Sequence, residues 1–184
     1  MRAKALISQS ALTHNLSIVK KLTPGAKVVS MIKANAYGHH LDCIHPLINN
    51  SDMLAVSELS EAIKLRAITD RPILLLSGIF SEDELQQAID LGCHIVVHHT
   101  SQIAIVNNTQ QMVNIWLKID TGMHRLGLSA NDYKECLPLL KDNPLVEVAC
   151  IMSHFACADE IEHPMNEAQL NDFQTLTTQT DVRS

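Results

Sequence analysis

Three sets of polar and ionisable side chains in this sequence begin where an apolar run ends. The sets are Lys33, then Lys118, Asp120 and Arg125, and then Ser153 and His154. Taken alone, a lysine in a loop, an Asp-Thr-Gly turn or a histidine at a strand end is most often a solvated or structural group. Three such sets at equivalent places in one chain favour a shared chemical function.

Lys33 follows the run KVVSMI and is the residue in these sets best suited to covalent chemistry. An amine at the apolar open end of a sheet loses hydration, which favours the neutral form that condenses with an aldehyde. Tyr37 and Gly38 lie close behind it and could supply a hydroxyl and a backbone donor to a phosphate on that aldehyde. The planar guanidinium of Arg125 could bind a phenolate or a carboxylate.

The elements that must position these residues are six short apolar runs separated by stretches of helical periodicity. The runs are KVVSMI, MLAV, PILLLS, HIVV, MVNIWLKI and LVEVACIM. Several are nearly continuous, which is typical of strands covered on both faces of a parallel sheet. Segments such as SELSEAIKLRAI and SEDELQQAIDLG begin with capping-box signals, and helices are also predicted at SQSALTHNLSIVKKL and NEAQLNDFQTLTTQ.

The fold class predicted from this alternation is α/β, with a (β/α)8 barrel of the TIM type favoured over an open sheet. Glycine-rich phosphate fingerprints are absent from the sequence, which argues against a nucleotide-binding open sheet. A complete barrel takes about 250 residues and eight strands, so residues 1–184 are predicted to form one incomplete barrel domain of about six units. The strands' carboxyl ends share one face of a barrel, where the three sets are expected to meet.

Composition excludes several classes of protein. A chain with 46% hydrophobic and 18% charged residues is typical of a globular domain, and no apolar run approaches the roughly 18 residues of a membrane span. The N-terminus carries no export signal, which predicts a cytoplasmic location. A net charge of −6 offers no surface for nucleic acid. Five cysteines without CxxC spacing favour neither a disulfide framework nor a zinc site.

Three long motifs, in order along the chain, resemble the bacterial alanine racemases. They are KANAYGHH (33–40), LKIDTGMHRLGL (117–128) and SHFACADE (153–160), and the segments AVSELSEAIKLR (55–66) and PILLLSGIF (72–80) are also similar. The resemblance implies a barrel that binds pyridoxal 5'-phosphate and interconverts L-alanine and D-alanine, supplying D-alanine for peptidoglycan. It also implies a homodimer.

The resemblance assigns a role to each matching residue. Lys33 matches the lysine that binds the cofactor as an internal aldimine and then acts as the base or acid on one face of the substrate. Tyr37 matches a tyrosine that contacts the phosphate, and His154 a histidine close to the pyridine ring. Arg125 matches the arginine that addresses the phenolic oxygen and the substrate carboxylate. Lys118 matches a lysine often carbamylated, whose carbamate holds that arginine.

The sequence departs from the family in two respects. The family's second base is a tyrosine from the C-terminal β-domain of the partner subunit, which the 184 residues do not contain. Tyr133, inside the helical segment SANDYKECL, is predicted to be an ordinary surface or packing residue. His40 stands where the family usually has glycine, and a positive φ there would add about 1–3 kcal/mol of strain. Six strands of an eight-stranded barrel would leave open edges and an exposed apolar interior, so the chain alone is expected to be poorly stable and to racemise little or nothing.

Three alternatives stay open at this point. A single-domain pyridoxal phosphate carrier built on the same barrel would need no β-domain. A metal site could form at His94, His98 and His99, although zinc prefers an ordered second shell and no acidic partner lies nearby in sequence. An inactive fragment could pair with a full-length copy through an open sheet edge.

Overall fold

The strands of the molecule follow the predicted apolar runs. A computed structural model describes residues 4–178, 180 and 182. The strands are β1 Val29–Met31, β2 Met53–Val56, β3 Ile73–Leu75, β4 Cys93–Val97, β5 Val113–Lys118 and β6 Val146–Met152. Each overlaps one predicted run, and the six predicted strands are confirmed.

Helices alternate with these strands. They are α1 Gln9–Leu22, α2 His45–Asn50, α3 Leu59–Arg66, α4 Glu82–Asp90, α5 Thr100–Asn107, α6 Ala130–Lys141 and α7 Pro164–Thr177, with a short 3-10 helix at Leu41–Cys43. Helix α7 begins two residues before the predicted segment because the His163 ring caps it, with Nδ1 accepting from the Met165 N–H at 3.2 Å. Among the described residues no helix has the length and apolar character needed to cross a membrane.

The chain divides into two compact units. The first comprises the described residues of Met1–Leu76 and Leu91–Cys93, and the second those of Ser77–Asp90 and His94–Ser184. In the first unit, β1 pairs with β2 and β2 with β3, always in parallel. Strand β3 is buried at every position and β2 at all but its first, as a near-continuous apolar run predicts.

In the second unit, β4 pairs with β5 and β5 with β6, again in parallel. The buried residues of β5 alternate, since Val113, Ile115 and Leu117 are at most 2% exposed while Asn114 is exposed. Trp116 and Lys118 therefore project from the opposite face to Leu117. Within each unit, parallel pairing brings the carboxyl ends of neighbouring strands to the same edge, which is where the three polar sets begin.

Candidate active site

Lys33 lies two residues beyond the end of β1, at the start of a left-handed turn. Ile32 before it is buried, and Lys33 itself is half-buried. The next four residues, 34–37, all have φ between 51° and 55°, close to the ideal left-handed helical value. L-amino acids pay about 1–2 kcal/mol each for this conformation, so the turn persists only if its surroundings hold it.

A hydrogen bond from outside the turn holds its first residue. The Ala34 N–H donates to Oε1 of Glu61 at 2.6 Å. The other carboxylate oxygen, Oε2, accepts from the N–H groups of Ser57 at 2.9 Å and Glu58 at 3.1 Å. Glu61 thus joins the segment after β1 to the segment after β2. Within the turn, the Gly38 N–H donates to the Ala34 carbonyl at 3.0 Å.

The polar side chains of KANAYGHH mostly form hydrogen bonds within the segment or with the residue that follows it. Oδ1 of Asn35 accepts from the Leu41 N–H, and its Nδ2 lies 3.2 Å from Nδ1 of His40. Nδ1 of His39 donates to the Ala36 carbonyl at 2.8 Å. Tyr37 is exposed like these residues, with 59% of it accessible to solvent. His40 has φ 67°. This is the positive φ at which a histidine in place of glycine is expected to be strained.

Lys118, the last residue of β5, is a buried amine with 8% exposure. Burial lowers the pKa of Lys118; the Asp120 carboxylate acts to raise it, and the Arg125 guanidinium lowers it further. Arg125 itself is exposed. The structure therefore brings the predicted lysine and arginine of this motif into electrostatic range of each other.

The loop that carries Arg125 is closed at its base. The Asp120 N–H donates to the Leu128 carbonyl at 3.0 Å, and the Leu128 N–H donates to the Lys118 carbonyl at 2.8 Å. Oδ1 of Asp120 accepts from the N–H groups of Gly122 and His124. Burial acts to raise the pKa of Asp120, but these N–H groups and the His124 ring bring it below its usual value.

The segment after β6 is tied to the Asp-Thr-Gly loop. Oγ of Ser153 donates to the Ile119 carbonyl at 2.9 Å and lies 2.8 Å from Oγ1 of Thr121. Gln169 of α7, only 3% exposed, adds a second connection. Its Nε2 donates to the His154 carbonyl at 2.9 Å, and its Oε1 accepts from the Ala156 N–H at 2.9 Å. The backbone of His154 is thereby fixed, while its side chain is exposed.

An apolar cleft of about 340 Å³ lies between the end of β6 and α7. It is lined by Thr121, Cys150, Ile151, Met152, Ser153, His154, Phe155, Gln169, Leu170 and Phe173. The cleft places Ser153 and His154, which follow β6, beside a largely apolar surface.

The three histidines of HIVVHH each have a structural contact. Nδ1 of His94 accepts from the Trp116 indole N–H at 3.3 Å, and burial lowers the pKa of His94. Nε2 of His98 lies 3.0 Å from the Ser77 carbonyl. His99 caps α5, with Nδ1 accepting from the Ser101 N–H at 3.2 Å. Within the described part of the chain, no group of three or more histidine, cysteine or acidic residues could hold a metal ion.

Tyr133 packs inside the molecule. It is 2% exposed within α6, and burial raises its pKa. Of the two environments predicted for it, packing is the one found. Two residues that contribute to the site were not singled out from the sequence, Glu61 and Gln169. Glu61 sits in the capping-box position of SELSE, which is a recognisable signal, whereas Gln169 looks like any polar residue of a helix.

The fold and the site define a class of protein: a parallel α/β chain with a lysine after its first strand, a second lysine at the end of its fifth strand and an arginine in the loop that follows. The sequence pattern described as the alanine racemase N-terminal domain matches residues 7–183. The chain belongs to the alanine racemase family and corresponds to the N-terminal domain of its members.

Individual relatives agree with this assignment. The alanine racemase of Vesicomyosocius okutanii is 62% identical over 178 residues, covering 97% of this chain and 51% of that protein. The alanine racemase of Vibrio parahaemolyticus is 40% identical, covering 96% of this chain and 50% of that protein. The chain thus spans about half the length of the curated relatives it matches.

Solved structures show the same fold. The biosynthetic alanine racemase of Pseudomonas aeruginosa matches with a TM-score of 0.89 at 35% identity, covering 97% of this chain and 51% of that one. The alanine racemase of Acinetobacter baumannii matches with a TM-score of 0.88 at 36% identity, covering 96% and 54%. The predicted α/β class and the incomplete barrel, about half of a racemase chain, are confirmed.

Proposed function

We propose that this chain forms the cofactor-bearing part of an alanine racemase, with Lys33 as the residue that binds pyridoxal 5'-phosphate covalently. The observation that carries the proposal is the placement of Lys33. It is a half-buried amine that follows buried Ile32 beyond the end of a parallel strand, and a left-handed turn that Glu61 holds in place comes directly after it. An ordinary surface lysine needs no such backbone.

The residues present fit the chemistry of pyridoxal 5'-phosphate. The exposed hydroxyl of Tyr37 would bind its phosphate, and the exposed guanidinium of Arg125 its phenolic oxygen. His154 borders an apolar cleft and would contribute to the hydrogen-bond network near the ring. Lys33 would supply the amine for covalent attachment.

The catalytic roles follow from these placements. When bound, the cofactor withdraws electrons from the substrate and makes the Cα hydrogen of alanine acidic. Nζ of Lys33 would take up that proton on one face and return it from the same position. Arg125 would bind the alanine carboxylate with its planar fork. Inversion of the centre needs a second base on the other face, which a partner subunit of the intact homodimer would provide.

Lys118 would support Arg125 as a carbamate. Burial lowers the pKa of Lys118, so a neutral amine is more accessible there than at the surface. A neutral amine adds carbon dioxide and releases one proton, which leaves an anion close to the guanidinium of Arg125. A like-charged pair would thereby become an attractive one. We place the intact protein in the cytoplasm, where it would supply D-alanine for peptidoglycan.

Deuterium exchange at alanine tests this function directly. The chain is incubated with pyridoxal 5'-phosphate and either L-alanine or D-alanine in D2O, and the Cα–H signal is followed by proton NMR. With one base present, we expect exchange that depends on Lys33 for a single enantiomer and no inversion. Equal exchange in wild type and Lys33→Ala would contradict the proposal.

A further inference from the structure

The carboxylate of Glu61 accepts hydrogen bonds from three backbone N–H groups in two separate segments of the first unit. Oε1 accepts from Ala34, the residue directly after Lys33, at 2.6 Å. Oε2 accepts from Ser57 and Glu58, which precede α3, at 2.9 and 3.1 Å. Hydrogen bonds to an ionised acceptor are the stronger kind, and both oxygens of this carboxylate are engaged. One half-buried side chain thus fixes the backbone next to the proposed cofactor lysine.

The third-position residue of α5 shows why position 61 needs a carboxylate. There Gln102 uses Oε1 to accept from the N–H groups of His98 and His99, at 2.8 and 3.3 Å. Its Nε2 donates to the Ser77 carbonyl at 3.1 Å. Gln102 therefore needs both an acceptor and a donor, which an amide provides. The contacts of Glu61 are all with donors. An amide at position 61 would turn its NH2 group toward a backbone N–H on one side or the other.

The left-handed turn makes this contact consequential. Residues 34–37 all hold a backbone conformation that costs energy in L-amino acids, and the bond to Glu61 acts on the first of them. If that bond is lost, Ala34 can return toward an ordinary backbone conformation. Such a change would rotate the peptide that directly follows Lys33 and redirect its side chain.

We propose that Glu61 is a positioning residue for Lys33: its carboxylate locks the left-handed turn and thereby aims the amine for covalent attachment of the cofactor. This inference rests on the proposed function of Lys33. It assigns Glu61 no contact with cofactor or substrate, and its effect passes entirely through the backbone of Ala34.

The first test measures hydrogen exchange at the Ala34 amide by NMR in wild type, Glu61→Gln and Glu84→Gln. Glu84 is the matched control, because its contact with the Phe80 N–H, at 2.7 Å through Oε2, can be replaced by an amide oxygen. We expect exchange at Ala34 to be about tenfold faster in Glu61→Gln and unchanged in Glu84→Gln. Equal protection in all three proteins would overturn the inference.

The second test measures covalent labelling of Lys33 by pyridoxal 5'-phosphate followed by borohydride, located by peptide mass mapping. Ala168→Gly, in an exposed part of α7, serves as a destabilised control, and rates are compared per folded molecule. We expect slower labelling in Glu61→Gln, with wild-type rates in Ala168→Gly and Glu84→Gln.

The outcomes separate the two claims. Labelled wild type with equally fast labelling of Glu61→Gln would overturn the positioning role and leave the proposed function standing. A wild-type chain that takes no label at Lys33 would overturn the proposed function, and the positioning role with it. If Glu61→Gln is the only variant with slow labelling and fast Ala34 exchange, both the positioning role and the proposed function are supported.

Discussion

Ala34 and Ala36 adopt a left-handed backbone conformation that glycine, which has no Cβ, adopts at far lower cost. Most contacts of this turn are local, but one partner lies well away in sequence, with Glu61 27 residues beyond Ala34. Energy stored in such a backbone is a feature of sites that must present one side chain in one direction. A left-handed turn lies directly after Lys33, and this supports the proposed function of that lysine.

Glycine substitution measures the left-handed conformation. Ala→Gly in the interior of a right-handed helix costs about 1 kcal/mol of stability. At Ala34 the removal of the Cβ clash offsets this cost, so we expect Ala34→Gly to lie within about 0.5 kcal/mol of wild type or above it. Ala168→Gly, in α7, should lose about 1 kcal/mol. Denaturant unfolding compares the two, and equal losses would contradict the left-handed assignment.

Lys118 predicts a dependence of stability on pH. Its folded pKa lies below the unfolded value of 10.5, mainly because of burial, so the unfolded chain binds more protons in that interval. Stability from this group therefore rises as pH increases from the folded pKa toward 10.5. Below that window, we expect Lys118→Met to be more stable than wild type by about 1 kcal/mol or more in carbon dioxide-free buffer.

Unfolding free energies measured across the alkaline range test this expectation. The advantage of Lys118→Met should shrink as the pH approaches 10.5, while Lys21→Met, at an exposed residue, should follow wild type throughout. If the stability difference between Lys118→Met and wild type stays constant with pH, burial does not lower the pKa of Lys118. Added bicarbonate should stabilise wild type but not Lys118→Met if the carbamate forms.

At the scale of elements, α7 holds the segments that follow β5 and β6. Its Gln169 contacts the backbone of His154 and Ala156, and Gly122 leaves space for its side chain. A Cβ at Gly122 would approach Cγ of Gln169 to 3.2 Å. Asn166 of the same helix also donates to carbonyls of the segment after β6, and the buried amide of Gln169 is the helix's contact with the His154 backbone.

Replacing that amide should be costly. Gln169→Leu would leave the Ala156 N–H and the His154 carbonyl without this partner, and we expect a loss of about 1–3 kcal/mol. Gln174→Leu, at an exposed position of the same helix, should change stability by no more than about 0.5 kcal/mol. Thermal and denaturant unfolding of the two variants measure the difference. Similar losses would indicate that Gln169 contributes nothing specific.

The strands could be predicted from sequence because continuous apolar runs such as that of β3 have few other uses in a globular chain. The helix ends were recoverable where side chains cap them locally, as Ser129 and Asp132 do for α6. The left-handed turn could not be predicted, because KANAY contains no glycine and its conformation depends on distant Glu61. Gln169 was missed for the same reason, since its partners lie 13 and 15 residues away.

The whole 184-residue polypeptide carries a sheet edge that invites association. Among the described residues, β6 pairs with β5 and with no other strand. The apolar cleft beside it includes Phe155, which is 43% exposed. Strand edges next to apolar surface are the common sites of pairing with a second chain. We expect this polypeptide to be poorly stable and to self-associate, and its racemisation of alanine to be slight or absent.

Sedimentation velocity over a range of concentrations tests the association. Phe155→Ser should weaken it several-fold by removing apolar surface from the cleft. Phe80→Ser, at a phenylalanine that is 65% exposed and does not line this cleft, is the matched control and should leave it unchanged. A monomer at all concentrations, or equal effects of the two substitutions, would argue against association through this edge.

The most direct test of the central claim is to locate the lysine that pyridoxal 5'-phosphate labels. The chain is treated with the cofactor and borohydride, and the modified peptide is identified by mass spectrometry. The account predicts a single label at Lys33 that disappears in Lys33→Ala and persists in Lys27→Ala, a change at an exposed lysine shortly before β1. A label spread over surface lysines, or unchanged in Lys33→Ala, would contradict it.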